Sequence, residues 1–201
     1  MARTTKFSMS SRIPLRLAPQ VLALSFARTQ MHINLDAPIE AGKTAAGFKI
    51  GSLFQEYAAD FAEAKVVRYY AGFNLVREIK QNTGVLRIDG FREDGGSSIY
   101  FGPDTVRLDF TGTGLLACIY VWTGYTGAYG EAKIGAPLAT VSRIEPLAYD
   151  SGDDMYYRVD VAGDYIAGLA IIAMEVEPAE YSTTPIHGFC VHDWSLFARA
   201  A

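Results

Sequence analysis

What most constrains this chain is the succession of strand-like runs from Val85 onward, each closed by turn-forming residues. Val85 to Phe91, Ser98 to Phe101, Thr105 to Phe110, Leu115 to Thr123, Ala139 to Leu147, Met155 to Val161, Tyr165 to Val176 and Gly188 to Ala198 are rich in β-branched and aromatic residues. Such side chains suit a pleated, half-buried surface. An α/β fold would need a helical pattern between successive strands, and none recurs. Asp94-Gly-Gly-Ser97, Thr111-Gly-Thr-Gly114 and Asp150-Ser-Gly-Asp-Asp154 read as hairpins or corners. Leu115-Leu-Ala-Cys-Ile-Tyr-Val-Trp122 is apolar at nearly every position, the pattern of a central strand covered on both faces. No internal repeat stands out.

One segment reads differently. Ser52-Leu-Phe-Gln55 has the form of a capping box, and Phe54, Tyr57, Ala58 and Phe61 follow at helical spacing with Glu56, Asp60 and Glu63 on the other side. A short helix over 52–64 is expected, giving way to a strand over Val66 to Val76. Before it, Val21 to Leu35 suits a first strand. Residues 1–20 carry Pro14 and Pro19 without periodicity and read as a flexible N-terminal arm. The expected fold is all-β: an eight-stranded jelly roll or β-sandwich over 21–201, one short helix, and the arm. At 201 residues with half of them hydrophobic, one core suffices.

Charge divides the chain. Arg3, Lys6, Arg12, Arg16 and Arg28 precede the first acid, Asp36, leaving 13 basic against 22 acidic residues in the remainder. A basic arm attracts polyanions through counterion release, and Arg3, Lys6, Arg12 and Arg16 are the candidate nucleic-acid contacts. The same start suits a targeting segment, with Leu17 to Ala27 as its apolar part, or plain solvated charge. Cys118 and Cys190 are too few for a disulfide scaffold, and each sits in an apolar run as a small hydrophobe. No run approaches the roughly 20 apolar residues of a membrane-spanning helix.

Motifs for chemistry are sparse. Gly42-Lys43-Thr44 resembles the end of a phosphate-binding loop, but Ala37 occupies the first glycine position and no βαβ unit follows. His187, Cys190 and His192 are zinc-type atoms. On an extended strand His187 and Asp193 point one way and Cys190 and His192 the other, so they cannot converge without a bulge. No Gly-x-Ser-x-Gly elbow presents a nucleophile, and the chain is read as not an enzyme. Asp150, Asp153 and Asp154, like Asp89 with Glu93 and Asp94 and Asp160 with Asp164, offer hard oxygen ligands for calcium; loops of this composition are usually solvated turns, and a calcium site assembled from neighbouring subunits is the sharper reading. Tyr120, Trp122, Tyr125 and Tyr129 beside glycines offer a carbohydrate platform or subunit contact.

The order of arm, β-region, short helix, aromatic strand and strand-rich remainder resembles the shell domain of small icosahedral RNA-virus coat proteins of the tombusvirus and sobemovirus types. In those coats a helix of the type Ala-x-x-Tyr-x-x-Tyr runs into a strand. Leu53-Phe-Gln-Glu-Tyr-Ala-Ala-Asp-Phe-Ala-Glu-Ala-Lys-Val-Val-Arg-Tyr-Tyr70 is a loose version, and Thr83-Gly-Val-Leu-Arg-Ile-Asp-Gly-Phe-Arg-Glu-Asp94 is similar to the strand that follows. The likeness spans roughly 20–198, with a less basic arm and no protruding domain. It implies a capsid subunit that self-assembles into a homo-oligomeric shell, its arm facing genomic RNA and its acidic loops meeting across boundaries. The setting would be the virion, with assembly in the host cytoplasm. The alternative is a carbohydrate- or ligand-binding β-sandwich module.

Overall fold

The computed structural model describes residues 32–90 and 92–198. The arm with Arg3, Lys6, Arg12 and Arg16, the apolar stretch Leu17 to Ala27 and most of the expected first strand lie outside the described residues; positions 32–35 are not strand. The chain is mostly β. A two-stranded ladder, β1 (Thr44–Ala45) and β2 (Phe48–Lys49), precedes β3 (Lys65–Arg68), helix α1 (Leu75–Gln81), and β4 (Val85–Asp89), β5 (Ser97–Phe101), β6 (Val106–Phe110) and β7 (Leu116–Val121). Helix α2 (Ala139–Ser142) leads to β8 (Leu147–Asp150), β9 (Met155–Val159), β10 (Tyr165–Ile172) and β11 (Gly188–His192), and α3 (Ser195–Ala198) follows.

The all-β class is as expected, and among the described residues the large sheet has nine strands where eight were expected. Hydrogen bonds join all nine in the order β3-β4-β5-β6-β7-β11-β10-β9-β8. Every neighbouring pair is antiparallel except β3 with β4. The sheet is therefore two four-stranded meanders, β4–β7 and β8–β11, laid side by side, with β3 added in parallel at the outer edge of the first. Its seam is β7 against β11, and every residue of both strands is buried. The expected turn clusters make the hairpins β4–β5, β6–β7 and β8–β9.

Local sequence explains where the other expectations depart. The region after Ser52 forms one 3-10 turn, Phe54–Tyr57, rather than a helix to 64. Ser52 does not cap it: its carbonyl accepts from the Leu116 amide, and the Leu53 amide donates to the Glu56 carboxylate at 2.8 Å. The aromatic stripe still packs inward, with Phe54 and Phe61 rings 5.0 Å apart and both near Phe110. Asp60, expected in solvent, is buried and accepts from the His32 amide and Nδ1. The expected strand to Val76 ends at Arg68, because Asn74 caps α1 by accepting from the Arg77 amide at 2.9 Å. Leu75 and Ile79 of α1 cover Leu86, Ile88 and Tyr100. The start of the expected Ala139–Leu147 strand is instead α2.

The two meanders also form a repeat that the sequence barely advertises. Lys49-Ile50-Gly51 and Lys133-Ile134-Gly135 share a tripeptide, and both glycines hold left-handed backbones, φ 82° and 86°. Gly51 N–H donates to Leu116 O, Leu116 N–H to Ser52 O and Phe54 N–H to Gly114 O. Gly135 N–H donates to Ile186 O, Ile186 N–H to Ala136 O and Leu138 N–H to Thr184 O. Residues 51, 52 and 54 thus correspond to 135, 136 and 138, and 114 and 116 to 184 and 186. At the seam, Tyr120 pairs with Cys190 at that same offset. A pseudo-two-fold axis therefore passes through this pair.

One face of the sheet carries the main core, including Ile119, Phe189, Leu169 and Tyr156, under the segments that bear Phe48, Tyr57, Tyr125 and Leu138. The other face differs between halves. Residues 58–84, with β3 and α1, intervene before β4, but only 143–146 separate α2 from β8. Among the described residues no helix stands between α2 and β8 as α1 does before β4; the outer face of the second meander is covered in part by α3, whose Leu196 packs with Tyr157 and Ala170.

Candidate functional site

Burial and bulging combine around β10. The register of β10 on β9 passes from Ile166 opposite Arg158 to Ala170 opposite Tyr157, so Ala167, Gly168 and Leu169 bulge out of the ladder. Gly168 is at φ 103°, and its carbonyl accepts from the Gly42 amide at 2.7 Å. A Cβ at Gly168 would stand 2.7 Å from the Gly42 nitrogen, so only glycine permits this approach. Arg158 holds the bulge from beneath. Its guanidinium donates to Ala167 O at 3.0 Å, to Glu145 at 3.1 Å and to the Tyr129 hydroxyl at 3.0 Å.

Two adjoining cavities open over the bulge, of about 190 and 270 Å³, and both are lined by Ala167 and His192. Together they reach the size range of small-molecule pockets. The first is walled by Tyr157, Tyr165 and Trp194 and rimmed by Asp150 and Asp153. The second extends past Gly42, Gly168 and Asp193. Tyr157 stacks on Tyr165 with centroids 5.1 Å apart, and His192 stacks on Trp194 at 4.5 Å. The Tyr157 hydroxyl donates to Asp153 Oδ2 at 2.6 Å, orienting that carboxylate. Burial, then this bond, raises the phenol's pKa, so it remains a donor.

His192 is the unusual member. It is only 1% exposed, and among the described residues neither ring nitrogen has a hydrogen-bond partner. Burial lowers its pKa to about 4; nearby Asp193 and Asp153 oppose this and Arg158 adds to it. At neutral pH it is an uncharged imidazole able to accept one hydrogen bond and donate another. Buried polar atoms without partners are uncommon in folded proteins, and such a group facing a cavity points to a ligand.

The structure brings together residues that the sequence suggested separately. Asp150, Asp153 and His192 share the pocket, whereas Asp154, at φ 56°, is turned toward the Tyr149 hydroxyl. The acidic trio therefore does not converge, and among the described residues no group of three or more His, Cys, Asp or Glu side chains is placed to hold a metal. His187 is exposed, while Cys190 is a buried free thiol beside Cys118. The expected carbohydrate platform is split as well. Tyr125 is in the main core with its hydroxyl on Ala37 O, and Trp122 stacks on Tyr120 on the opposite face. Asp89 and Asp94 pair with Arg87 and Arg92, and Asp160 caps its own turn. Gly42 and Lys43 lie in a turn against β10, and Thr44 begins β1. The sequence missed Tyr157, Tyr165, Trp194 and the bulge, and only the alternation that put His192 opposite His187 hinted at them.

No helix among the described residues is long and apolar enough to cross a membrane. Comparison with protein-family models, curated proteins and solved structures finds no match to this chain.

Proposed function

We propose that this protein is a ligand-binding β domain whose binding site is the pocket over the β10 bulge. The observation that carries this reading is His192: a buried imidazole whose nitrogens have no partner among the described residues, lining a cavity walled by three aromatic rings. Aromatic walls with a few convergent polar groups are the usual make-up of a small-molecule site, where rings supply contact area and polar atoms fix orientation. Nothing in the pocket is a poised nucleophile, so the reading is of recognition without chemistry. It is tested by thermal unfolding of the full chain against a panel of small sugars, amines and aromatic acids. At least one class should raise Tm in the wild type and lose most of that effect in Trp194→Ala, whose ring is partly exposed. A rise that Trp194→Ala leaves intact would overturn the assignment.

A second reading is the self-assembling coat subunit, favoured by the edges of the sheet. Neither β3 nor β8 has a strand on its outer side among the described residues. Val66, Tyr70 and Val76 lie exposed on and beside β3, and an open edge with apolar neighbours is a template for pairing between copies. Electron microscopy of the purified protein across salt, pH and calcium tests it: uniform particles support a shell, and dispersed monomers throughout contradict it.

A further inference from the structure

The pseudo-two-fold gives the pocket a counterpart inside the same molecule. Across the first meander Tyr100 pairs with Arg107, and Arg107 with Tyr120. Across the second, Tyr157 pairs with Ala170, and Ala170 with Cys190. With Tyr120 and Cys190 equivalent, Tyr157 corresponds to Tyr100, Ala170 to Arg107, and His192 to Trp122. In the first meander the Arg107 guanidinium lies 4.0 Å from the Tyr120 ring centroid, 4.9 Å from Trp122 and 5.8 Å from Tyr100. Asp109 stands 3.7 Å from its Nε. The first meander thus carries an aromatic cage closed on its own cation.

The second meander keeps the cage's character and lacks the cation. A methyl group at Ala170 stands where Arg107 would be. The flat groups are Tyr157, His192, Trp194 and Tyr165, and the carboxylates are Asp153 and Asp150. Arg158 on β9 is committed to Glu145 and Ala167 O beneath the bulge, and Arg92 lies over the Phe197 ring. Among the described residues α3 packs on this face through Leu196, and the pocket beside it stays open.

From this we infer that the pocket binds a guanidinium group supplied from outside, its face against the aromatic rings and its N–H groups on Asp153 and Asp150. The inference rests on the pocket being a ligand site and adds the class of ligand. Ring faces attract cations, and a guanidinium's planar fork suits stacking and carboxylate contact together. The group can come from a free small molecule or from an arginine side chain of a polypeptide, and the chemistry at the pocket is the same.

The test is calorimetric titration of the full chain at pH 7 and low salt. The probes are Nα-acetyl-arginine amide, its neutral isostere Nα-acetyl-citrulline amide, methyl glucoside, and a Gly/Ser peptide bearing one arginine. Expected is binding of the arginine amide at least tenfold tighter than of the citrulline amide. That preference should fall at least fivefold in Asp153→Asn, an exposed position where folding is not at issue. Equal affinity for the free amide and the peptide assigns a small-molecule source, and strong preference for the peptide assigns a protein partner; both support the guanidinium. Equal affinity for arginine and citrulline amides, or binding of methyl glucoside alone, would overturn the cation and leave the pocket standing as a ligand site. Failure of all four probes would overturn the cation, and if the wider panel also fails, the site itself falls.

Discussion

Replacing His192 with Gln should remove a defined part of the protein's pH dependence. With the folded-state pKa lowered to about 4 from an ordinary value of 6.5, the imidazole stays neutral in the fold and protonates first in the unfolded chain. Its contribution to stability is complete above pH 6.5 and is lost as pH falls from there to 4. A shift of that size corresponds to about 3 kcal/mol in full, with about 2 kcal/mol lost between pH 7.5 and 5. Asp193 and Asp153 partly offset the cost of charging the ring and Arg158 adds to it. Asp104 works in the opposite sense: burial raises its pKa to about 6, so its protonation favours the fold as pH falls. Since Asp104 is present in both proteins, the comparison isolates His192. The assay is urea unfolding of wild type and His192→Gln at half-unit steps from pH 7.5 to 4.5. The wild type should lose about 2 kcal/mol more than the variant over the upper two and a half units. Parallel curves would refute the claim that a buried, neutral, unpartnered imidazole sits in the pocket.

Gly168→Ala should cost about 3 kcal/mol by thermal unfolding, because φ 103° strains any side chain and the new methyl meets the Gly42 backbone. Arg158→Met should cost about 3 kcal/mol, a Tm fall of roughly 10 °C, by stranding Glu145 and the Ala167 carbonyl. Gly51→Ala and Gly135→Ala meet no neighbouring atom within 4 Å, so each should show backbone strain alone, about 1–2 kcal/mol by denaturant unfolding. Their two values should agree within about 0.5 kcal/mol if the repeat is real.

Hairpins and the central strand were legible in the sequence because their signals are local. Asp, Gly, Ser and Thr clusters set the turns, and the unbroken apolar run of β7 reports burial on both faces without any knowledge of the partners. Helix α1 was not legible, since Val66 to Val76 has strand-like side chains throughout and only Asn74, one capping residue, marks the change. The Asp60 assignment failed because a helical wheel places it outward, while the chain there is a series of turns that bring it to His32. The repeat escaped notice because the halves share one tripeptide, and their likeness lies in which amides meet which carbonyls. The pocket was the least legible feature. Asp150, Tyr157, Tyr165 and His192 become neighbours only through the order β8-β9-β10-β11 and a three-residue bulge, and neither follows from spacing along the chain.

The most direct measurement is chemical-shift mapping of the isotopically labelled protein with a fragment library that includes guanidinium compounds. The account predicts that binding fragments converge on Ala167, Gly168, His192 and Trp194, and that the guanidinium members move the Asp153 loop as well. Fragments that bind elsewhere and leave those four residues unmoved would contradict it.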